Sequence, residues 1–195
     1  SNEAAVGNPD AELPTKYTYV QDAIAQLNQS VEIYKETYGV DPRGMWPGEG
    51  AVSQDIVPLV SNSGYTWMAS GEQELAASLG IGDFTRDSND TVLQADQLYR
   101  PYFVEGRADG PIQGGKVMMV FRDSVISDKL GFTYSQTPGK QAADDVMQRL
   151  ENIRAELKAE GATGPHLVSI ILDGENAWEY YPNDAKDFLN ALYQD

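Results

Sequence analysis

The feature that most constrains the fold of this chain is an alternation of unbroken apolar segments with an amphipathic one. Residues 117–121 and 168–172 are almost continuously apolar, which is typical of strands covered on both faces. Between them, residues 140–160 repeat apolar side chains at three- and four-residue steps, the spacing of one buried helical face. Strand, helix and strand in this order predict an α/β fold, with parallel β-strands that alternate with helices outside the sheet.

The same alternation extends toward the N-terminus. Residues 21–38 predict a helix whose buried face consists of Ala23, Leu27, Val31, Tyr34 and Tyr38. A short extended segment is predicted at 44–46, followed by a glycine-rich bend. A helix, a strand, a second helix and a closing helix are predicted at 54–62, 65–69, 72–79 and 183–193. Residues 80–115 mix glycine, aspartate, asparagine and proline with little periodicity, and they are predicted to form an irregular connection.

The composition excludes several classes of function. A formal charge of -16, from 30 acidic against 14 basic residues, repels nucleic acids and anionic membranes and favours a neutral ligand. The chain has no cysteine, which excludes zinc-thiolate sites and cysteine nucleophiles. The single histidine, His166, argues against a serine-hydrolase triad and against a multi-histidine metal site. We predict no cofactor and no metal.

Polar side chains gather where predicted strands end. The last apolar segment runs directly into Asp173, and Gly174 is expected to let the backbone turn sharply there. In α/β folds, ligands bind at the carboxyl ends of the strands. The three clusters are Trp46 with Glu49, Arg122 with Asp123 and Asp128, and Asp173 with Glu175, Asn176 and Trp178.

This mixture of carboxylates, an amide and indoles suits a neutral carbohydrate. Carboxylates and amides hold sugar hydroxyls, and the apolar face of a pyranose stacks on an aromatic ring. Cleavage of a glycosidic bond needs in addition two carboxyl groups on opposite sides of the anomeric carbon. The clusters supply candidates for both carboxyl groups.

Each candidate also has a structural interpretation. Glu49, which lies between two glycines, could be a turn carboxylate, and Asp173 could cap the next helix. Arg122 and Asp123 could form a structural ion pair. The two aromatic candidates, Trp46 and Trp178, could be side chains of the hydrophobic core.

A third possibility is a Mg²⁺ or Ca²⁺ site for phosphoryl transfer, held by Asp123, Asp128 and Asp173. The sequence has no EF-hand spacing and no phosphate loop of the GxxxxGK[ST] type. Few basic residues are placed to receive a phosphate group. The pattern therefore favours carbohydrate over phosphate chemistry.

Three motifs carry a resemblance to a known family. GMWPGEG beginning at Gly44, FRDSVISDKLGFTY beginning at Phe121 and LDGENAWEYY beginning at Leu172 together resemble glycoside hydrolase family 57. The resemblance covers the chain from about Tyr17 to its C-terminus and implies part of an incomplete (β/α)7 barrel. It also implies an α-glucan-active enzyme, of the α-amylase, amylopullulanase or glucanotransferase kind.

The resemblance implies roles for individual residues. Glu49 matches the nucleophile of the family, and Asp173 matches its general acid/base. In a retaining mechanism their carboxyl groups lie about 5 to 5.5 Å apart. The remaining polar and aromatic residues of the clusters would bind the substrate or orient the catalytic pair, namely Trp46, Arg122, Asp123, Asp128, Glu175, Asn176 and Trp178.

The chain also departs from the family pattern. Family members begin with a strand carrying a His-Gln-Pro motif, which is missing here together with the second and fifth conserved regions. The missing regions lead us to expect that 17–195 is a partial catalytic domain. Ser1 and Asn2, followed by a stretch with glycine, proline and aspartate, lead us to expect a flexible leader or cloning boundary at 1–16. Its expected partners are an α-glucan or maltooligosaccharide and the remaining parts of its own full-length chain. The expected location of the protein is the cytoplasm. The alternative function is a non-catalytic carbohydrate-binding or structural remnant with an incomplete site.

Overall fold

The computed structural model describes residues 19–110, 112–174 and 178–194, which alternate between helices and strands. The strands are β1 (Gly44–Met45), β2 (Trp67–Gly71), β3 (Tyr102–Glu105) and β4 (Lys116–Arg122). The α-helices are α1 (Val20–Tyr38), α2 (Val57–Asn62), α3 (Glu72–Leu79), α4 (Ala95–Leu98), α5 (Ser124–Asp128), α6 (Gly139–Ala159) and α7 (Lys186–Gln194). The predicted leader and the site candidates Glu175 and Asn176 lie outside the described residues.

The chain divides into two compact units. Unit 1 consists of Ser1–Ser70 with Pro101–Val120, and unit 2 consists of Gly71–Arg100 with Phe121–Asp195. The strands form one sheet in the order β1-β2-β4-β3, in which β1 and β2 run parallel. The predicted α/β class, a partial barrel-like fragment, is confirmed.

Strand β3 was not predicted. It lies in the segment that the sequence analysis assigned to an irregular connection, and it pairs with β4 in the antiparallel direction. Its side chains alternate between half-buried and exposed, as expected of a strand at the edge of a sheet. The alternating pattern of β3 covers only four residues and is flanked by segments rich in glycine and proline. It is therefore too short to be recognised in the sequence.

The core of unit 1 follows directly from its apolar runs. Four consecutive residues of α2 are buried, Val57 to Val60, and so are the central residues of β2 and β4. Gly44 pairs with Trp67 across β1 and β2, and a Cβ added to Gly44 would overlap the Trp67 ring. The close pairing of these two strands therefore requires a glycine at this position.

Helix α1 forms where predicted, but the expected burial of its apolar face is wrong. None of its residues is buried, and Tyr34 and Tyr38 are exposed. Within unit 1 it packs on α2, and Ser30 Oγ lies 2.9 Å from the Tyr65 hydroxyl. Periodicity fixes which face of a helix is apolar, but it does not supply the surface that covers this face.

Unit 2 is built around the long helix α6, which begins and ends within one residue of its predicted bounds. Its buried residues include Val146 and Ile153, and it packs against α7, whose Phe188 is buried. The Glu160 carboxylate, just beyond α6, accepts hydrogen bonds from the backbone N–H groups of Ala95 (2.6 Å) and Asp96 (3.0 Å). It thereby caps the first turn of α4.

The predicted strand that contains the apolar residues 168–172 is reduced to a single parallel bridge between Arg122 and Ser169. The backbone N–H of Asp123 donates to the Ser169 carbonyl at 3.1 Å, which fixes the direction of this segment. Leu167 and Ile170 are exposed, so the expectation of a strand covered on both faces is wrong. Among the described residues no further strand pairs with this segment, and an apolar run alone does not supply hydrogen-bonding partners.

No helix within the described ranges has the length and hydropathy that a bilayer span requires.

Candidate active site

Glu49 is presented on a tight turn in unit 1. The 3₁₀ turn Gly48–Gly50 follows β1 and is closed by the Gly50 N–H, which donates to the Pro47 carbonyl at 2.9 Å. Glu49 itself is exposed and adopts the left-handed conformation, with φ 56° and ψ 21°. A non-glycine residue in this conformation costs about 1 to 3 kcal/mol and persists only where its surroundings enforce it.

Two contacts within unit 1 hold this turn. The buried Ser70 hydroxyl donates to the Gly50 carbonyl at 2.7 Å. The Trp46 ring lies against Gly50, where an added Cβ would come within 2.7 Å of its Cη2 atom. Trp46 is thus half-buried and supports the turn that presents Glu49.

We expect Gly50→Ala to lower the free energy of unfolding by about 1 to 3 kcal/mol and to displace Glu49. Gly50 has φ +66°, and the new methyl group would overlap the Trp46 ring. Thermal unfolding and tryptophan fluorescence measure the two effects. Gly48→Ala is the matched control, because a Cβ added there would meet no atom within 4 Å and the φ of Gly48 is not positive. Equal unfolding midpoints for the two variants would contradict the proposed role of Gly50.

Asp173 lies in unit 2 and is exposed at the end of the segment bridged to Arg122. The Ile171 N–H donates to Ser127 Oγ at 3.2 Å and ties this segment to α5. Gly174 lies in a turn, as expected, although it does not adopt a positive φ. Glu49 belongs to unit 1, and its predicted 5 to 5.5 Å separation from Asp173 stays a prediction.

The structure gives Arg122 and Asp123 different partners, so the proposed ion pair between them is wrong. Arg122 pairs with Asp128, which is exposed. Asp123 is completely buried, accepts a hydrogen bond from the Tyr99 hydroxyl at 2.5 Å and caps α5 by accepting from the Ile126 N–H at 3.0 Å. Successive residues at the end of β4 therefore point to opposite environments, as expected of an extended chain.

A buried charge network surrounds Asp123. Arg86 donates to the carboxylates of Glu72 at 2.7 Å and of Asp123 at 3.4 Å. Burial lowers the pKa of Arg86, but the two carboxylates outweigh it and raise this pKa overall. Burial, together with the negative charge of Asp123, raises the pKa of Tyr99.

Glu72 and Arg86 were not predicted as site residues from the sequence. Glu72 directly follows β2, so the rule that located Asp123 after β4 would also have located Glu72. The Glu72 carboxylate also accepts a hydrogen bond from the backbone N–H of Ser124, at 3.1 Å from Oε2. Arg86 lies in the segment that was predicted to be irregular, and no sequence pattern marks it.

Trp178 belongs to an aromatic cluster in unit 2. Its ring meets Tyr181 edge to face at 5.5 Å between centroids and lies 6.3 Å from Phe188. The Tyr181 hydroxyl donates to the Leu130 carbonyl, and burial raises the pKa of Tyr181 to about 12. Trp178 is half-buried, so much of its ring is used in packing.

The alternative of a divalent-cation site finds no ligand cluster within the described parts of the chain. No three His, Cys, Asp or Glu side chains gather there in a way that could hold a metal ion. Asp123, one of the three proposed ligands, instead uses its carboxylate for Tyr99, Ile126 and Arg86.

The family model described as glycosyl hydrolase family 57 matches residues 13–195, which is nearly the whole chain. No curated protein matches the sequence.

Proposed function

Because the chain belongs to glycosyl hydrolase family 57, we propose that it is a retaining glycoside hydrolase or transglycosidase acting on α-glucans. Family membership implies glycoside hydrolase or transglycosidase chemistry on a carbohydrate. In this proposal Glu49 is the nucleophile and Asp173 is the general acid/base. The substrate is an α-glucan or maltooligosaccharide.

The backbone of Glu49 is the observation that best supports the proposal. A glutamate between two glycines has no intrinsic reason to adopt the left-handed conformation, yet Glu49 does so with φ 56°. Ser70 and Trp46 contact Gly50 and stabilise the turn. Strain of this kind concentrates at functional sites, where it fixes the direction of a reacting group.

The proposed reaction has two steps. Glu49 attacks the anomeric carbon, the glycosidic C–O bond breaks, and Asp173 transfers its proton to the departing oxygen. The resulting glycosyl ester on Glu49 is then attacked by water or by another sugar hydroxyl, whose proton passes to Asp173. Two inversions at the same carbon retain the α configuration.

The other residues would assist in different ways. Arg122 and Asp128 form an ion pair on the surface of unit 2 and would hydrogen-bond sugar hydroxyls. Asp123 is buried and would act indirectly, by fixing the end of β4 next to Arg122. The candidates that the sequence analysis places near the sugar keep their proposed roles, namely Trp46, Glu175, Asn176 and Trp178.

Incubation of the chain with maltoheptaose, followed by proton NMR, tests this proposal. We expect the α-anomer of the new reducing end to form first and the β-anomer to follow only by mutarotation, because the mechanism retains configuration. Cellohexaose, which has the same sugar in β linkage, is the matched control and should not react.

Initial release of the β-anomer would contradict the retaining mechanism. Binding of maltoheptaose without turnover would favour the alternative of a non-catalytic carbohydrate-binding protein. If the chain neither binds nor converts maltoheptaose, the proposed function is wrong.

A further inference from the structure

Resting on the proposed function, we propose that Phe132 is a stacking platform for a glucosyl unit of the α-glucan, next to Asp173. Phe132 lies in the π-helical turn Lys129–Thr133, and 60% of its surface is exposed. Such turns are rare and occur frequently at functional sites. An exposed aromatic ring on such a turn is a suitable surface for the apolar face of a pyranose.

The turn that carries Phe132 lies against the segment that ends at Asp173. A Cβ added to Gly131 would be 3.8 Å from Leu172 Cδ2, so the residues directly before Phe132 and Asp173 lie side by side. One turn earlier, Ser127 Oγ accepts a hydrogen bond from the Ile171 N–H. These contacts all lie within unit 2 and bring Phe132 into the neighbourhood of the proposed general acid/base.

Polar groups suited to sugar hydroxyls accompany the ring. Asp128 lies four residues before Phe132 in one continuous helical stretch, so both side chains emerge on the same face. Asp128 is exposed and is held by its ion pair with Arg122. An aromatic face beside a carboxylate and a guanidinium is the combination that binds a pyranose.

Phe132 fits this role better than Trp178 does. The Trp178 ring already packs on Tyr181 and Phe188, whereas Phe132 keeps most of its surface in solvent. Covering an exposed ring with a sugar removes apolar surface from water, which is the source of the expected affinity.

Calorimetric titration of the chain with maltoheptaose tests the inference. We expect Phe132→Ala to raise the Kd about tenfold, whereas Phe132→Tyr, which keeps the flat ring, should stay within about twofold of wild type. Phe132→Leu keeps an apolar side chain without a ring and should behave like Phe132→Ala. Phe103→Ala is the matched control. Phe103 is similarly exposed, at 70%, but it lies on β3 in unit 1, whereas Phe132 and Asp173 belong to unit 2.

The outcomes separate this inference from the proposed function. If wild type binds maltoheptaose and Phe132→Ala or Phe132→Leu binds equally well, the stacking role is overturned while the proposed function stands. The same holds if Phe103→Ala weakens binding as much as Phe132→Ala does. If wild type shows neither binding nor turnover, both are overturned.

Discussion

Replacement of Asp173 by asparagine is expected to lower the turnover of maltoheptaose by about 10²- to 10⁴-fold. An amide cannot donate the proton that the departing sugar oxygen needs. Glu49→Gln is expected to cost at least as much, because glutamine cannot form the glycosyl ester. Both side chains are exposed, so neither change should alter the unfolding midpoint by a comparable amount.

A substrate with a better leaving group separates the two roles. In α-maltosyl fluoride the leaving group is fluoride, which departs without being protonated. Asp173→Asn should therefore still form the glycosyl-enzyme with this substrate, and the glycosyl-enzyme should accumulate. Glu49→Gln should remain inactive on the same substrate, because it lacks the nucleophile. Mass spectrometry of the intact chain detects the covalent adduct.

Glu179→Gln is the matched control for these variants. Glu179 is an exposed glutamate a few residues beyond Asp173, and it has no role in the proposed mechanism. Its turnover should equal that of wild type. Unchanged turnover in both Asp173→Asn and Glu49→Gln would show that these carboxylates do not catalyse the reaction.

The second large effect concerns stability. We expect Asp123→Ala to lower the free energy of unfolding by about 3 to 5 kcal/mol, the range for breaking a buried ion pair. The change leaves the buried hydroxyl of Tyr99 and the backbone N–H of Ile126 without their acceptor. It also leaves Arg86 with one carboxylate in place of two.

Urea unfolding, followed by circular dichroism, measures this loss. Asp128→Ala is the matched control, because Asp128 ends the helix that Asp123 caps but its side chain is exposed. We expect less than about 1 kcal/mol for the control, as for other exposed ion pairs. If the two variants lose similar amounts of unfolding free energy, the buried network around Asp123 does not stabilise the fold more than an exposed ion pair does.

The sequence predicted most helices and the central strands because their signals are local. The spacing of apolar residues located α6 within one residue, and continuous apolar residues located β4. Strand β3 escaped prediction because four residues give too short a pattern. The segment before Asp173 was predicted as a full strand, since its composition says nothing about which neighbours pair with it.

The site was predictable in part for a similar reason. The ends of predicted strands pointed to Glu49, Asp123 and Asp173, and the family motifs assigned the catalytic roles to Glu49 and Asp173. The sequence did not distinguish a buried carboxylate from an exposed one, so Asp123 and Asp128 were given the same role. Arg86 has no sequence signal at all, because its partners Glu72 and Asp123 come together only through folding.

The sequence by itself determined the α/β class, the family and the residue types available for glycoside chemistry. Each of these depends on local periodicity or on motifs that are contiguous in the chain. Only the tertiary structure decided that Asp123 is buried with Arg86 and Tyr99, and that Phe132 remains exposed beside the Asp173 segment. The physical reason is that burial and ion pairing depend on which distant residues pack together, and hydrophobic spacing along the chain does not encode those partners.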